Sequence, residues 1–207
     1  MIAVEKTILV LLAAGASTRF GDADKLDEEF LSKPLGLHVA VALEDMPFQD
    51  RIAVVDSCRI DYASHGYRVL HNPDARRGMA SSLAMGVACA QEHGADAVLV
   101  ALADMPRVTA AHIYRLFDAS TGADSVVASS DGTHPMPPGL FGAARFEFLA
   151  SLTGSDGARA LVRGGRHVVT APAELIDIDT PADLERLRAL VHSPEAITRA
   201  TARRTEA

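Results

Sequence analysis

Read for the rhythm of apolar and polar positions, the chain alternates between two periods. Residues 7–12 (TILVLL) form an unbroken apolar run, the pattern of a strand covered on both faces. Residues 51–56 (RIAVVD), 67–71 (YRVLH), 97–103 (AVLVALA), 125–129 (SVVAS) and 167–171 predict further strands. Between them, apolar residues return every three or four positions. Leu35, Val39 and Leu43 do so within 34–43, and Leu83 and Val87 within 79–93. Thr109 stands where a cap is needed for a helix to about residue 119. Helices are also predicted over 143–152, over 156–163, and from Pro181 in a first turn to about residue 191. Residues 131–138 (DGTHPMPP) read as a loop, 139–141 as a short strand and 175–178 as a short edge strand.

Alternation at this spacing predicts an α/β fold, a mostly parallel sheet with helices on both faces. No repeat or linker divides the chain, so residues 1–192 read as one domain and 193–207 as a flexible tail. In such sheets ligands bind outside the carboxyl ends of the strands. Attention therefore falls on the loop after the first strand and on the end of the strand at 97–103.

The bulk numbers narrow the classes. A chain of 207 residues, 48% hydrophobic and 23% charged, suits one domain with a sizeable core. A net charge of −7 gives no general attraction to nucleic acid or anionic membrane, so neither is expected as a partner. A bound anion must then be held by local groups. With 5% aromatics and no Trp, a base-stacking platform is not expected. No apolar stretch has the length of a membrane span, and no signal peptide is expected. Cys58 and Cys89 form no CxxC pair; as free thiols they fit a cytoplasmic location.

The first strand opens into Leu12-Ala13-Ala14-Gly15-Ala16-Ser17, a run of small residues whose N–H groups could line one concave anion site. Arg19 adds a planar cationic fork and Lys25 a point charge, a set that suits polyphosphate. The Walker pattern and GxGxxG are both absent, and a plain turn with solvated cations is the simpler alternative. Asp104 ends the strand at 97–103 just before Met105-Pro106. A hard divalent cation takes one or two carboxylates together with phosphate oxygens, and Asp104 is placed to be one; a turn or capping role is its alternative. Asp177 and Asp179 alternate, so in an extended segment only one of them faces the metal. No histidine pair has zinc-ligand spacing, and no GxSxG elbow is present.

Several motifs then recur in order: LAAGASTRFG with Lys25, KPLGLHVAVAL, RRGMASSLAMG, ALADMP, PPGLF, TGSDGARALV and DIDTPADL. Over roughly residues 7–190 the chain resembles the molybdenum-cofactor cytidylyltransferases and their nucleotidyltransferase relatives. It departs where Lys25-Leu26 runs into the acidic DEEF, and where Gly154-Ser155-Asp156 replaces Gly-Asp. The resemblance implies a Rossmann-like three-layer sandwich of the nucleotide-diphospho-sugar transferase type. It implies transfer of CMP from CTP to a phosphorylated pterin, the molybdopterin cofactor, with Mg²⁺ and release of pyrophosphate. Arg19, Lys25 and Asp104 become the catalytic residues, with Asp104 and Asp179 on the metal and Asp177 in reserve. Leu12 to Ser17, Arg19, Lys25, Arg77, Gly78, Ser81 and Ser82 become nucleotide contacts, although a serine pair also suits a first helical turn. His134, Asp156 and Arg159 fall on the acceptor side; an exposed loop histidine and an i, i+3 ion pair are the local alternatives. LAAG rather than LAGG implies cytosine over guanine. Implied partners are CTP or another nucleoside triphosphate, the phosphorylated acceptor, and a molybdoenzyme or accessory protein. A guanylyltransferase, a transferase for another phosphorylated acceptor and a non-catalytic cofactor chaperone are the other readings.

Overall fold

The computed structural model describes residues 1–15, 20, 24–154 and 158–192, the last by its backbone. The apolar run forms β1 (Thr7–Ala13), and every one of its residues is buried. Two β2–β3 segments, Glu29–Phe30 and Lys33–Pro34, make a small separate hairpin. The main sheet adds β4 (Asp50–Val55), β5 (Arg68–His71), β6 (Ala97–Leu102), β7 (Val126–Ser130), β8 (Pro135–Gly142) and β9 (Arg166–Val169). Its order is β5-β4-β1-β6-β8-β7-β9. β1 runs parallel to β4 and β6, with Leu11 opposite Ala53 on one side and Ala101 on the other. Only β8 is antiparallel to its neighbours, so β7 and β9 point the same way as β1 and β6. The result is the mostly parallel, three-layer α/β architecture that the alternation predicts.

The helices are α1 (Leu37–Ala42), α2 (Met79–Glu92), α3 (Ala110–Asp118), α4 (Phe146–Ser151), α5 (Arg159–Arg163) and α6 (Pro181–His192). Thr109 caps α3, its Oγ1 accepting from His112 N at 3.1 Å. α2 lies so close to the central strand that a Cβ on Gly86 would stand 2.4 Å from Val10 Cγ1. A second apolar cluster of Phe30, Leu35, Ile178, Leu184 and Leu187 joins the hairpin to α6. That cluster brings the segment after Lys25 against the segment before α6.

Three boundaries differ from the sequence reading. Residues 135–138, expected in a loop, belong to β8, because β7 supplies pairing at Pro135 and Met136 that a proline-rich segment does not advertise. The helix expected from residue 34 starts at Leu37, since Lys33–Pro34 is drawn into the hairpin. Leu31 and Ser32 turn that hairpin in the left-handed region, with φ of 48° and 63°. The expected edge strand at 175–178 is instead the end of a 3-10 turn, Pro172–Leu175, followed by irregular chain. The tail at 193–207 lies outside the described residues.

Candidate active site and metal centre

The centre is built at the carboxyl end of β6. After Leu102 the chain turns, with Met105 N donating to Leu102 O at 3.3 Å, and this turn presents Asp104. Ile178 N donates to Asp104 O at 3.1 Å, which lays the segment before α6 beside that turn. Asp104, Asp177 and Asp179 consequently each offer a carboxylate oxygen, and the three oxygens lie within 4.8 Å of one another. The sequence reading allowed only one of Asp177 and Asp179 to face the metal. That expectation assumed an extended strand; the segment is irregular, so period-two alternation does not apply and both converge.

The carboxylates fit a hard cation. Asp104 Oδ1 is buried and receives no donor among the described residues, an arrangement that is costly unless a cation completes it. Asp177 keeps access to solvent, yet its carboxyl is pushed up to about 7 by desolvation and then by the charge of Asp104, against the pull of Lys25. Carboxylates crowded in this way favour either a proton or a metal ion.

Lys25 reaches the same place from the other side. It opens a 3-10 turn, Lys25–Asp27, capped by Asp24 Oδ1 accepting from Leu26 N at 3.0 Å. Its Nζ donates to Asp104 Oδ2 at 2.6 Å, to Ile178 O at 2.8 Å and to Asp179 Oδ1 at 3.3 Å. Burial alone would lower its pKa, but the charge of and hydrogen bond to Asp104 prevail and raise it.

The end of β1 borders this centre. Leu12, Ala13 and Ala14 are buried, and Ala103 N donates to Leu12 O at 3.0 Å. A Cβ on Gly15 would meet nothing within 4 Å among the described residues. Ala16, Ser17, Arg19 and Asp156 lie outside the described residues.

The loop from β5 to α2 is held by a residue that the sequence reading did not single out. Asn72 is 2% exposed; its Nδ2 donates to Ser81 Oγ at 2.9 Å and to Ser82 Oγ at 2.8 Å, and its Oδ1 accepts from Asp74 N at 2.9 Å. The hydroxyls of Ser81 and Ser82, expected among the nucleotide contacts, accept from Asn72 and so also fix the loop. The signal available in the sequence was Asn-Pro directly after a strand, a turn-forming pair. Gly78 begins α2 with φ of 103°, a value that favours glycine, and the exposed Arg77 pairs with Asp74 at 3.7 Å. Beyond the end of β7, Asp131 Oδ1 accepts from the backbone N of Thr133 and of His134, both at 2.7 Å, leaving the His134 side chain exposed. Arg159 is exposed at the start of α5. Lys25, Asp104, Asp177 and Asp179 meet directly; Arg77 and His134 share the carboxyl-end face of the sheet with them.

Comparison with known proteins gives a consistent picture. The family model described as the MobA-like NTP transferase domain matches residues 9–171. The purine catabolism protein PucB of Bacillus subtilis is 30% identical over 200 residues, covering 86% of this chain and 94% of that protein. The crystal structure of Rv0371c from Mycobacterium tuberculosis has 28% identity and a TM-score of 0.72, covering 87% of this chain and 96% of that one. A structure of Rv0371c in complex with manganese has 26% identity and a TM-score of 0.69, covering 87% and 97%.

Proposed function

Because the chain belongs to the MobA-like NTP transferase family, we propose that it transfers CMP from CTP to the phosphate of a molybdopterin-type acceptor in a Mg²⁺-dependent reaction. The observation that carries this reading is the set of three aspartate oxygens within 4.8 Å at the carboxyl end of β6, one of them buried without a donor among the described residues. The manganese complex of Rv0371c supports a divalent ion as the cofactor.

An oxygen of the acceptor phosphate attacks the α-phosphorus of CTP. The new O–P bond forms as the bond to the β-phosphate oxygen breaks, and pyrophosphate leaves with that electron pair. The nucleophile is already anionic, so no protein base and no covalent enzyme intermediate is needed. Asp104, Asp177 and Asp179 would hold the Mg²⁺, which when bound supplies charge neutralisation for the phosphates. The backbone after β1 would cradle the triphosphate, and Arg19 would meet the charge that develops on it. Holding acceptor and α-phosphate in line is the chain's main contribution. The choice of cytosine is assigned to Ala14, whose methyl narrows the space that a glycine would leave for a purine. His134, Asp156 and Arg159 are assigned to the acceptor.

Two measurements test the reading. Thermal shifts with CTP, GTP, ATP and UTP, each with and without Mg²⁺, should favour CTP with Mg²⁺. Pyrophosphate release with a molybdopterin-type acceptor should then follow the same order. A shift with GTP alone would make the chain a guanylyltransferase. Nucleotide binding with no pyrophosphate release from any tested acceptor would favour a non-catalytic carrier.

A further inference from the structure

The candidate metal centre already contains a cation, and it is part of the chain. Lys25 Nζ bridges Asp104 Oδ2 and Asp179 Oδ1, at 2.6 and 3.3 Å, and sends a further hydrogen to Ile178 O at 2.8 Å. An ammonium carries three donors, and these acceptors among the described residues engage it closely. The side chain is only 8% exposed. A lysine awaiting a phosphate would ordinarily keep its head in water. Here the head is spent on two of the three carboxylates that would hold the metal.

Charge counting shows what this does. Among the described residues, three carboxylates and one ammonium sum formally to −2. A divalent ion would neutralise the group, but it would share Asp104 and Asp179 with a second cation at hydrogen-bond range. Like charges that close repel strongly in a partly desolvated site. The conflict is relieved if the ammonium finds another anion within reach of its flexible stem, and the triphosphate expected beside the loop after β1 is such an anion.

We infer that Lys25 is the resident counter-ion of this centre, and that a divalent metal takes over Asp104 and Asp179 as the ammonium passes to a phosphate of the incoming nucleotide. The inference rests on the reading of the site as a metal-dependent nucleotidyl-transfer centre. Two consequences follow. Asp104 and Asp179 stay together without metal, because Lys25 holds both. Metal and nucleotide also bind cooperatively, since each removes the obstacle to the other, and the coupling factor is the same in both directions.

The test is a Mn²⁺ titration of the full chain followed by electron paramagnetic resonance, with and without CTP, on the wild type and Lys25→Met. Without nucleotide, Lys25→Met should bind Mn²⁺ roughly tenfold more tightly than the wild type. CTP should raise Mn²⁺ affinity markedly in the wild type and only slightly in the variant. Equal or weaker Mn²⁺ binding by Lys25→Met would overturn the counter-ion inference while leaving the metal centre standing. A wild type that binds Mn²⁺ neither alone nor with CTP would overturn the functional reading itself, and the inference with it. If Lys25→Met does not melt cooperatively, Lys25→Gln, neutral but still able to donate, carries the same comparison.

Discussion

At the scale of single residues, the decisive chemistry lies in Asp104. Its Oδ2 is tied to Lys25 and its Oδ1 receives no donor among the described residues, so the residue both assembles the centre and offers an oxygen to a cation. Asp104→Asn keeps the shape but removes the charge. Pyrophosphate release should fall by about two to three decades, the usual effect of losing one charge contact in a transfer reaction. An Asp104→Asn enzyme with undiminished Mg²⁺-dependent turnover would dismiss this site. Asp104 and Lys25 were legible in the sequence because each breaks a pattern, a carboxylate ending an apolar strand and a cation in an otherwise acidic stretch. The joint approach of Asp177 and Asp179 was not legible. It depends on Ile178 N pairing with Asp104 O, a contact between segments more than seventy positions apart. Asn72 escaped for a similar reason: its value lies in reaching two serines on the next helix.

At the scale of elements, the close approach of α2 to β1 is the most exacting fit. Val10 is fully buried between β4 and β6 and has no room to retreat from a new methyl on Gly86. Gly86→Ala gains about 1 kcal/mol of helix propensity but overpacks the contact, which typically costs about 1–3 kcal/mol. We expect a net loss of stability, read as a lower urea midpoint; a higher midpoint would mean that the helix can shift outward. The central strands were plain from periodicity alone, because burial on both faces makes them continuous apolar runs. β8 was legible only in part. Its prolines at 135, 137 and 138 resemble a loop, and it is the pairing of Pro135 and Met136 with β7 that carries the strand through them. The hairpin at β2–β3 was hidden because its turn uses Leu31 and Ser32 rather than the glycine or asparagine that usually marks such conformations.

At the scale of the whole molecule, the response to acid joins distant parts of the fold. His112 is 1% exposed, and its Nε2 lies 2.7 Å from Ser129 Oγ. Ser129 gives its own proton to Pro138 O at 2.8 Å, so His112 Nε2 is the donor, and the buried Nδ1, without a partner among the described residues, favours the neutral ring. Burial lowers its pKa, with Glu174 pulling upward and Arg115 pushing down. The unfolded chain therefore takes up a proton near pH 6.5 that the folded chain refuses, and the stability contributed by neutral His112 is lost as pH falls below about 6.5. Asp177 acts in the opposite sense, its raised value favouring the folded state as pH falls through about 7. A difference measurement separates them: the stability advantage of the wild type over His112→Gln should shrink between about pH 7.5 and pH 5.5. A constant difference would mean that His112 does not titrate with unfolding. The sheet's two borders carry a last consequence. β5 and β9 are four residues each, fringed by Arg68 and Arg166, and on β9 Arg115 already occupies the carbonyl of Val169. Brief, cationic margins of this kind make poor templates for a neighbouring molecule's backbone, so concentrated solutions of the protein should resist fibrillar stacking even though its interior is rich in valine and leucine.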